Sequence, residues 1–161
     1  MSAKQVLLIG GLALAILGMS YGLWYAAFAE HQALDGIGQS LSSSFQAAAE
    51  KDSSAAENSL LQYREAKYRY DRQVDVHGHW LGLSMLLIIV AIGYDHVSFS
   101  QKLKTLLAWI LLIGSAFFPL GVLMQTWSHG PAPRYVAALA SAMVIVALAA
   151  MVLGFLRRQT A

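Results

Sequence analysis

Four stretches of this sequence carry no charged side chain: Val6–Ala29, Trp80–Tyr94, Thr105–Trp127 and Tyr135–Leu156, of 24, 15, 23 and 22 residues. A helix that crosses ~30 Å of hydrocarbon needs about 20 apolar residues at ~1.5 Å each, and it satisfies its own backbone groups on the way. The first, third and fourth runs meet that length alone. The second reaches only about 22 Å, so it must recruit Val74–His79 before it or Asp95–His96 after it. The expectation is an all-α membrane protein, a single bundle of four transmembrane helices over 6–29, 75–95, 104–127 and 135–156. Composition agrees. The chain is 57% apolar and 12% charged and has no cysteine, against about 25% charge in a soluble domain. That balance argues against a soluble enzyme, a disordered chain and a disulfide scaffold.

The first run ends in Ala27-Phe28-Ala29, which has the form of a leader-peptide cleavage site. It exceeds the ~7–15 residues of a leader's apolar core and carries Trp24 and Tyr25 near its end, as an interfacial aromatic belt does. It therefore reads as a retained helix. Orientation follows from the short flanks. With the N-terminus inside, Lys4, Lys102, Lys104, Arg157 and Arg158 are cytoplasmic and only Arg134 lies in the short outer loop. Both termini are then expected inside a bacterial inner membrane, with residues 30–74 forming a periplasmic or extracellular helical insertion.

That insertion and its junction, Glu30–Val76, hold 8 of the 9 acidic residues. The part up to Asp52 is rich in Gly, Ser and Ala and reads as loop or frayed helix. Beyond it, Ser54-Ala55-Ala56-Glu57 has the form of a capping box, and Leu60, Tyr63, Ala66 and Tyr70 mark one helical face. Glu65 and Arg69 form an i,i+4 pair. No glycine or proline interrupts Ala55–His77, so this helix is expected to run straight into the second apolar run. The tyrosines Tyr63, Tyr68 and Tyr70 are read as clamps onto the earlier half of the segment, in preference to a ligand or radical-transfer role. In the first run, Gly11, Ala15, Gly18, Gly22, Ala26 and Ala29 form a stripe of small residues, fit for close approach of another helix. Packing within the chain is the simpler use; a homo-oligomer is the other. Pro119 must bend the third run by removing the hydrogen bond to the Ser115 carbonyl.

The histidines are the sharpest chemical signal. His31, His77, His79 and His129 come from three segments yet are all expected at the outer face, with Glu30 and Asp75 nearby. Neutral imidazole ligates zinc, copper and heme iron, and bundles build such sites from facing helices. His77, His79, His31, His129 and Glu30 are thus candidate metal ligands, and His79, His129 and His31 candidate cofactor-binding residues. One restriction applies: residues i and i+2 of a helix point about 200° apart, so His77 and His79 cannot share one ion unless the helix unwinds at Gly78. His79 is the better inward candidate, with Leu83, Leu86 and Val90 continuing its face. A structural or proton-handling role for these histidines stands beside the cofactor reading. Strong metal, nucleotide-binding and hydrolase signatures are absent from the sequence.

The stretch Val76-His77-Gly78-His79-Trp80-Leu81-Gly82-Leu83-Ser84-Met85 resembles the H-x-H-x-x-x-L-G-M opening of a helix in an uncharacterised family of small bacterial four-helix membrane proteins, with Ser84 in place of the family's glycine. Leu17-Gly18-Met19-Ser20-Tyr21-Gly22-Leu23-Trp24-Tyr25 is similar to that family's first helix. The H-x-H stretch also faintly resembles helix openings in heme–copper oxidase-like and nitric-oxide-response membrane proteins. This resemblance implies a b-type heme or copper role for His79 or His77, with His129 or His31 as the second axial ligand.

Two functions follow as expectations. The first is a small membrane protein that binds heme, copper or zinc near its outer face, for electron transfer or metal handling. The second is a non-catalytic accessory or assembly subunit of a larger membrane complex, meeting a membrane or periplasmic protein partner through the projecting helix or the glycine stripe. A transporter is disfavoured by the small number of helices. No nucleic-acid partner is expected: the net charge is only +2, and membrane insertion explains the basic helix ends.

Overall fold

The computed structural model describes residues 1–159. Residues 160 and 161, and the side chains of Arg158 and Gln159, lie outside that description, and with them the Arg158 member of the basic cluster expected inside. Five α-helices and one 3₁₀ turn follow in order, with no strand among the described residues: α1 (Ala3–Phe28), α2 (Glu30–Ala49), α3 (Ser53–Gly93), the turn Tyr94–His96, α4 (Gln101–Met124) and α5 (Pro131–Gln159). Four of them, α1, α3, α4 and α5, are long and apolar enough to cross a membrane. The helices outrun the expected spans at most ends because polar caps extend them. Ser2 and Gln5 form a reciprocal capping box on α1, Ser100 caps α4, and Pro131 starts α5 where its missing amide costs nothing.

Two features depart from the sequence reading. Residues 30–49, expected as loop or frayed helix, form the full helix α2, pinned along α3 by side-chain contacts that no local propensity reveals. The Ser44 hydroxyl, for instance, donates to the Ala56 carbonyl at 3.1 Å. Second, the cap of α3 is Asp52, not Ser54. Its carboxylate accepts from the Ala55 amide at 3.0 Å and from the Ser54 hydroxyl at 2.7 Å. Between α2 and α3, Lys51 takes φ 62°, the left-handed position usually given to glycine, and so reverses the chain in two residues. As expected, α3 then runs unbroken for 41 residues from this turn into the apolar bundle.

These two donors hold the Asp52 carboxyl below the usual carboxylate range. A lowered folded value means that the cap is fully present above about pH 4 and is lost as acid carries the pH down through that value. Asp52→Ala is expected to fray the first turn of α3, which amide exchange of Ala55 and Ala56 would report. The wild type should show the same fraying only in acid.

The bundle is not a square of four. α1, α3 and α4 pack on one another, α2 packs chiefly on α3, and α5 lies almost wholly against α4. The small-residue stripe of α1 explains the first contact: a Cβ on Gly11 would lie 3.0 Å from the Ser84 carbonyl, and one on Gly18 would lie 3.0 Å from the Trp80 Cβ. This stripe is therefore occupied inside the chain. Gly114 and Gly121 of α4 do the same for α5, whose backbone comes within 2.8 Å and 2.5 Å of where their side chains would begin. For helices apolar enough to cross a membrane, small residues at such contacts matter because lipid would offer no hydrophobic drive for pairing; close approach and dispersion would supply it instead. The core runs through Leu7, Leu87, Leu111 and Ala147.

The end carrying the 3₁₀ turn is closed by polar bonds. The buried Tyr94 hydroxyl donates to the Lys104 carbonyl at 2.6 Å, Lys4 pairs with Asp95 at 2.7 Å, and the Ser98 amide donates to the Gly154 carbonyl at 3.0 Å. Arg157 lies over the Phe99 ring at 5.7 Å. Lys4, Lys104 and Arg157 thus share one end of the bundle, opposite the α2–α3 hairpin.

Candidate functional site

Polar side chains concentrate where the hairpin meets the apolar helices, and His77 and His79 lie in that zone. His77 and His79 both sit within α3, with no unwinding at Gly78, and so point to different neighbours as the helical period requires. His77 faces α1: its Nδ1 donates to the Gly18 carbonyl at 2.9 Å, and the ring fills the space above Gly22, where a Cβ would meet it at 2.3 Å. His79 turns toward α4, its ring edge-on to Phe118 at 4.8 Å, with Nδ1 donating to the Asp75 carbonyl at 2.6 Å. A carbonyl only accepts, so each Nδ1 carries a proton, and Nε2 is the ring atom that a neutral imidazole would present to a ligand. The buried face of α3 here is Val76, Trp80, Ser84, Leu87 and Ala91. The line of His79, Leu83, Leu86 and Val90 expected to face inward flanks that face and is only partly buried.

The other candidates lie elsewhere. The side chain of His31 is 89% exposed and pairs only with Asp35, one turn along α2, at 3.3 Å. Glu30 accepts from the Tyr70 hydroxyl at 3.3 Å. His129 pairs with Glu65 at 3.4 Å and lies against the Tyr68 ring at 5.4 Å. Glu65 is three turns from His77 along α3, about 18 Å away. Among the described residues, no three His, Asp or Glu side chains are gathered as a metal ion needs. An Nε2 lone pair with its Nδ1–H fixed by a carbonyl is what a ligating histidine shows, so His77 and His79 each fit a single bond to a metal. The four histidines meet different neighbours: His77 the Gly18 carbonyl of α1, His79 the Phe118 ring of α4, His31 the Asp35 carboxylate of α2 and His129 the Glu65 carboxylate of α3.

What the zone does contain is a set of links between helices, most of them invisible in the sequence. The Tyr21 hydroxyl of α1 donates to the Gln73 side chain of α3. Tyr68 donates to Gln125, just past α4, at 3.3 Å, and the Arg72 guanidinium lies over its ring at 5.1 Å while bonding Asp75 at 3.2 Å. Tyr70 links α3 to α2 through Glu30, as the clamping role anticipated, and burial and the Glu30 carboxylate both push its phenol up. Trp80 donates through its indole to the Ala116 carbonyl at 3.4 Å, one residue from the Ser115 carbonyl that Pro119 leaves without its helical partner. Tyr21 and Gln73 carried no sequence signal, because their meeting depends on the register of α1 against α3. Tyr68 was visible as a member of a tyrosine cluster, but not its partner Gln125.

These groups are polar hooks between helices, and none forms a nucleophile–base pair. Comparison with known proteins adds no assignment: no protein-family model, no curated protein and no solved structure matches the chain.

Proposed function

We propose that this protein is a non-catalytic accessory or assembly subunit of a larger membrane complex. The observation that carries the reading is the continuity of α3 over 41 residues. It makes the α2–α3 hairpin a rigid extension of the bundle, suited to holding a partner at a set distance and angle. In this reading the four apolar helices cross a bacterial inner membrane. Lys4, Lys102, Lys104 and Arg157 stand in the cytoplasm by the charge bias of inner loops, and residues 30–74 project outside. The hairpin carries Leu34, Phe45 and Leu61 largely exposed on an otherwise polar surface, and exposed apolar side chains of this kind serve as interface anchors.

The test uses the full chain, crosslinked in its native membrane and purified in mild detergent. The Phe45→Asp, Leu61→Asp double variant is expected to lose a stoichiometric partner that the wild type and His79→Ala retain. Purification of the wild type alone would overturn the proposal. So would a Soret band or stoichiometric copper, zinc or iron that depends on His77 or His79, which would return the protein to the cofactor-binding reading.

A further inference from the structure

Between the last turn of α1, the first turns of α2 and the facing part of α3 lies a cavity of about 270 Å³, lined by Tyr25, Gln32, Gly36, Arg69, Tyr70 and Gln73, with alanines between them. One observation marks it as a place where something binds, and a second supplies the means of testing it. Tyr25 is 6% exposed, and its hydroxyl has no hydrogen-bond partner among the described residues. A buried hydroxyl in that condition is costly and uncommon, and is normally met by a ligand or water. Second, Gly36 stands in the middle of a helix, where glycine is unfavourable, and a Cβ there would touch nothing within 4 Å. No neighbour in the fold requires that glycine, a condition it shares with Gly38, and as a lining residue it is the place where a larger side chain can be used to fill the cavity.

The lining defines the chemistry of the occupant. Tyr25, Gln32 and Arg69 all offer donors, and no carboxylate is among the lining residues. The charge of Arg69 is met by Glu65 at 2.8 Å, so the cavity has no spare cation to draw in an anion. A neutral group rich in acceptor oxygens fits. The position adds the rest: Tyr25 and Ala29 end the apolar run of α1, and Glu30 follows at once. Trp24 and Phe28, both well exposed, lie on one flank of Tyr25 around the helix and offer apolar surface to a tail. We propose that the cavity holds the carbonyl-bearing head of a neutral amphiphile, an isoprenoid quinone or the ester region of a diacyl lipid, with the Tyr25 hydroxyl donating to a carbonyl oxygen.

The experiment uses the full chain in phosphatidylcholine nanodiscs, as wild type, Tyr25→Phe and Gly36→Leu. In one arm ubiquinone-2 is titrated and tryptophan quenching is read, Trp24 being adjacent. In the other, the lipid retained through delipidating detergent washes is counted by native mass spectrometry. Saturable quenching in the wild type, weakened about tenfold in Tyr25→Phe and abolished in Gly36→Leu, identifies a quinone. One retained lipid in the wild type, lost in both variants, identifies a bilayer lipid. Gly36→Leu should keep wild-type helix content and unfold no earlier, since leucine favours the helix more than glycine, which separates blocking from misfolding. Absence of both signals in the wild type, or equal binding by all three proteins, overturns the proposal.

Discussion

Gly121→Leu is expected to separate α4 from α5. At Gly121 a Cβ would lie 2.5 Å from the Ala137 nitrogen and 2.8 Å from its Cα. Both are backbone atoms on a helix, so no rotamer change relieves the clash and one helix must move bodily. Overpacking costs about 1–3 kcal/mol, with a clash on backbone at the upper end, and beyond α4 the helix α5 is held chiefly by Val97, Ser98 and Phe99 at its far end. The expected result is a thermal unfolding midpoint in detergent lowered by roughly 10 °C, on the scaling of about 2–4 °C per kcal/mol for a chain of this size. Gly82→Ala is the control, because nothing lies within 4 Å of a Cβ there; its midpoint should stay at or slightly above the wild-type value, since alanine favours the helix more than glycine. A wild-type midpoint for Gly121→Leu would mean that α5 docks on another face of the bundle.

The second large effect is expected at Trp80. Its side chain, 3% exposed, is the only tryptophan of four that is buried among the described residues. It fills the junction of three helices: Gly18 of α1 packs on its Cβ, Tyr21 meets its ring edge-on at 5.6 Å, and its indole nitrogen reaches the Ala116 carbonyl of α4. Trp80→Ala leaves a cavity at that junction and is expected to cost about 3 kcal/mol, at the low end for a buried aromatic, because the lipid-embedded reference state is itself apolar. Trp80→Phe keeps most of the packing and loses the indole bond, for about 1 kcal/mol. Unfolding by denaturing detergent would read both. Equal losses would show that the hydrogen bond, and not the volume, carries the contact.

Particular residues show how far the sequence could be read. The continuity of α3 was legible because no breaker lies between Ala55 and His77, and helix continuation is a local property. The divergence of His77 and His79 was legible for the same reason, being set by 3.6 residues per turn. α2 was not legible. Gly36, Gly38 and a run of serines disfavour a helix in isolation, and only the face of α3 beside it repays the ordering. The gathering of four histidines was a statement about depth alone. Depth along a bundle is shared by residues that face in every direction, and rotation about each helix axis separated them.

The sequence by itself determined that four apolar helices exist, that the charges fall between and beyond them, and that a long polar helix continues into one of them. These follow from composition and period, which act over a few turns. The tertiary structure decided which faces meet: Gly11, Gly18 and Gly22 under α3, Gly114 and Gly121 under α5, Tyr21 on Gln73, His77 on the Gly18 carbonyl, and Tyr25 buried with an unanswered hydroxyl. Those outcomes depend on the rotation and register of whole helices, which are chosen by close packing summed along each interface and are written in no single residue.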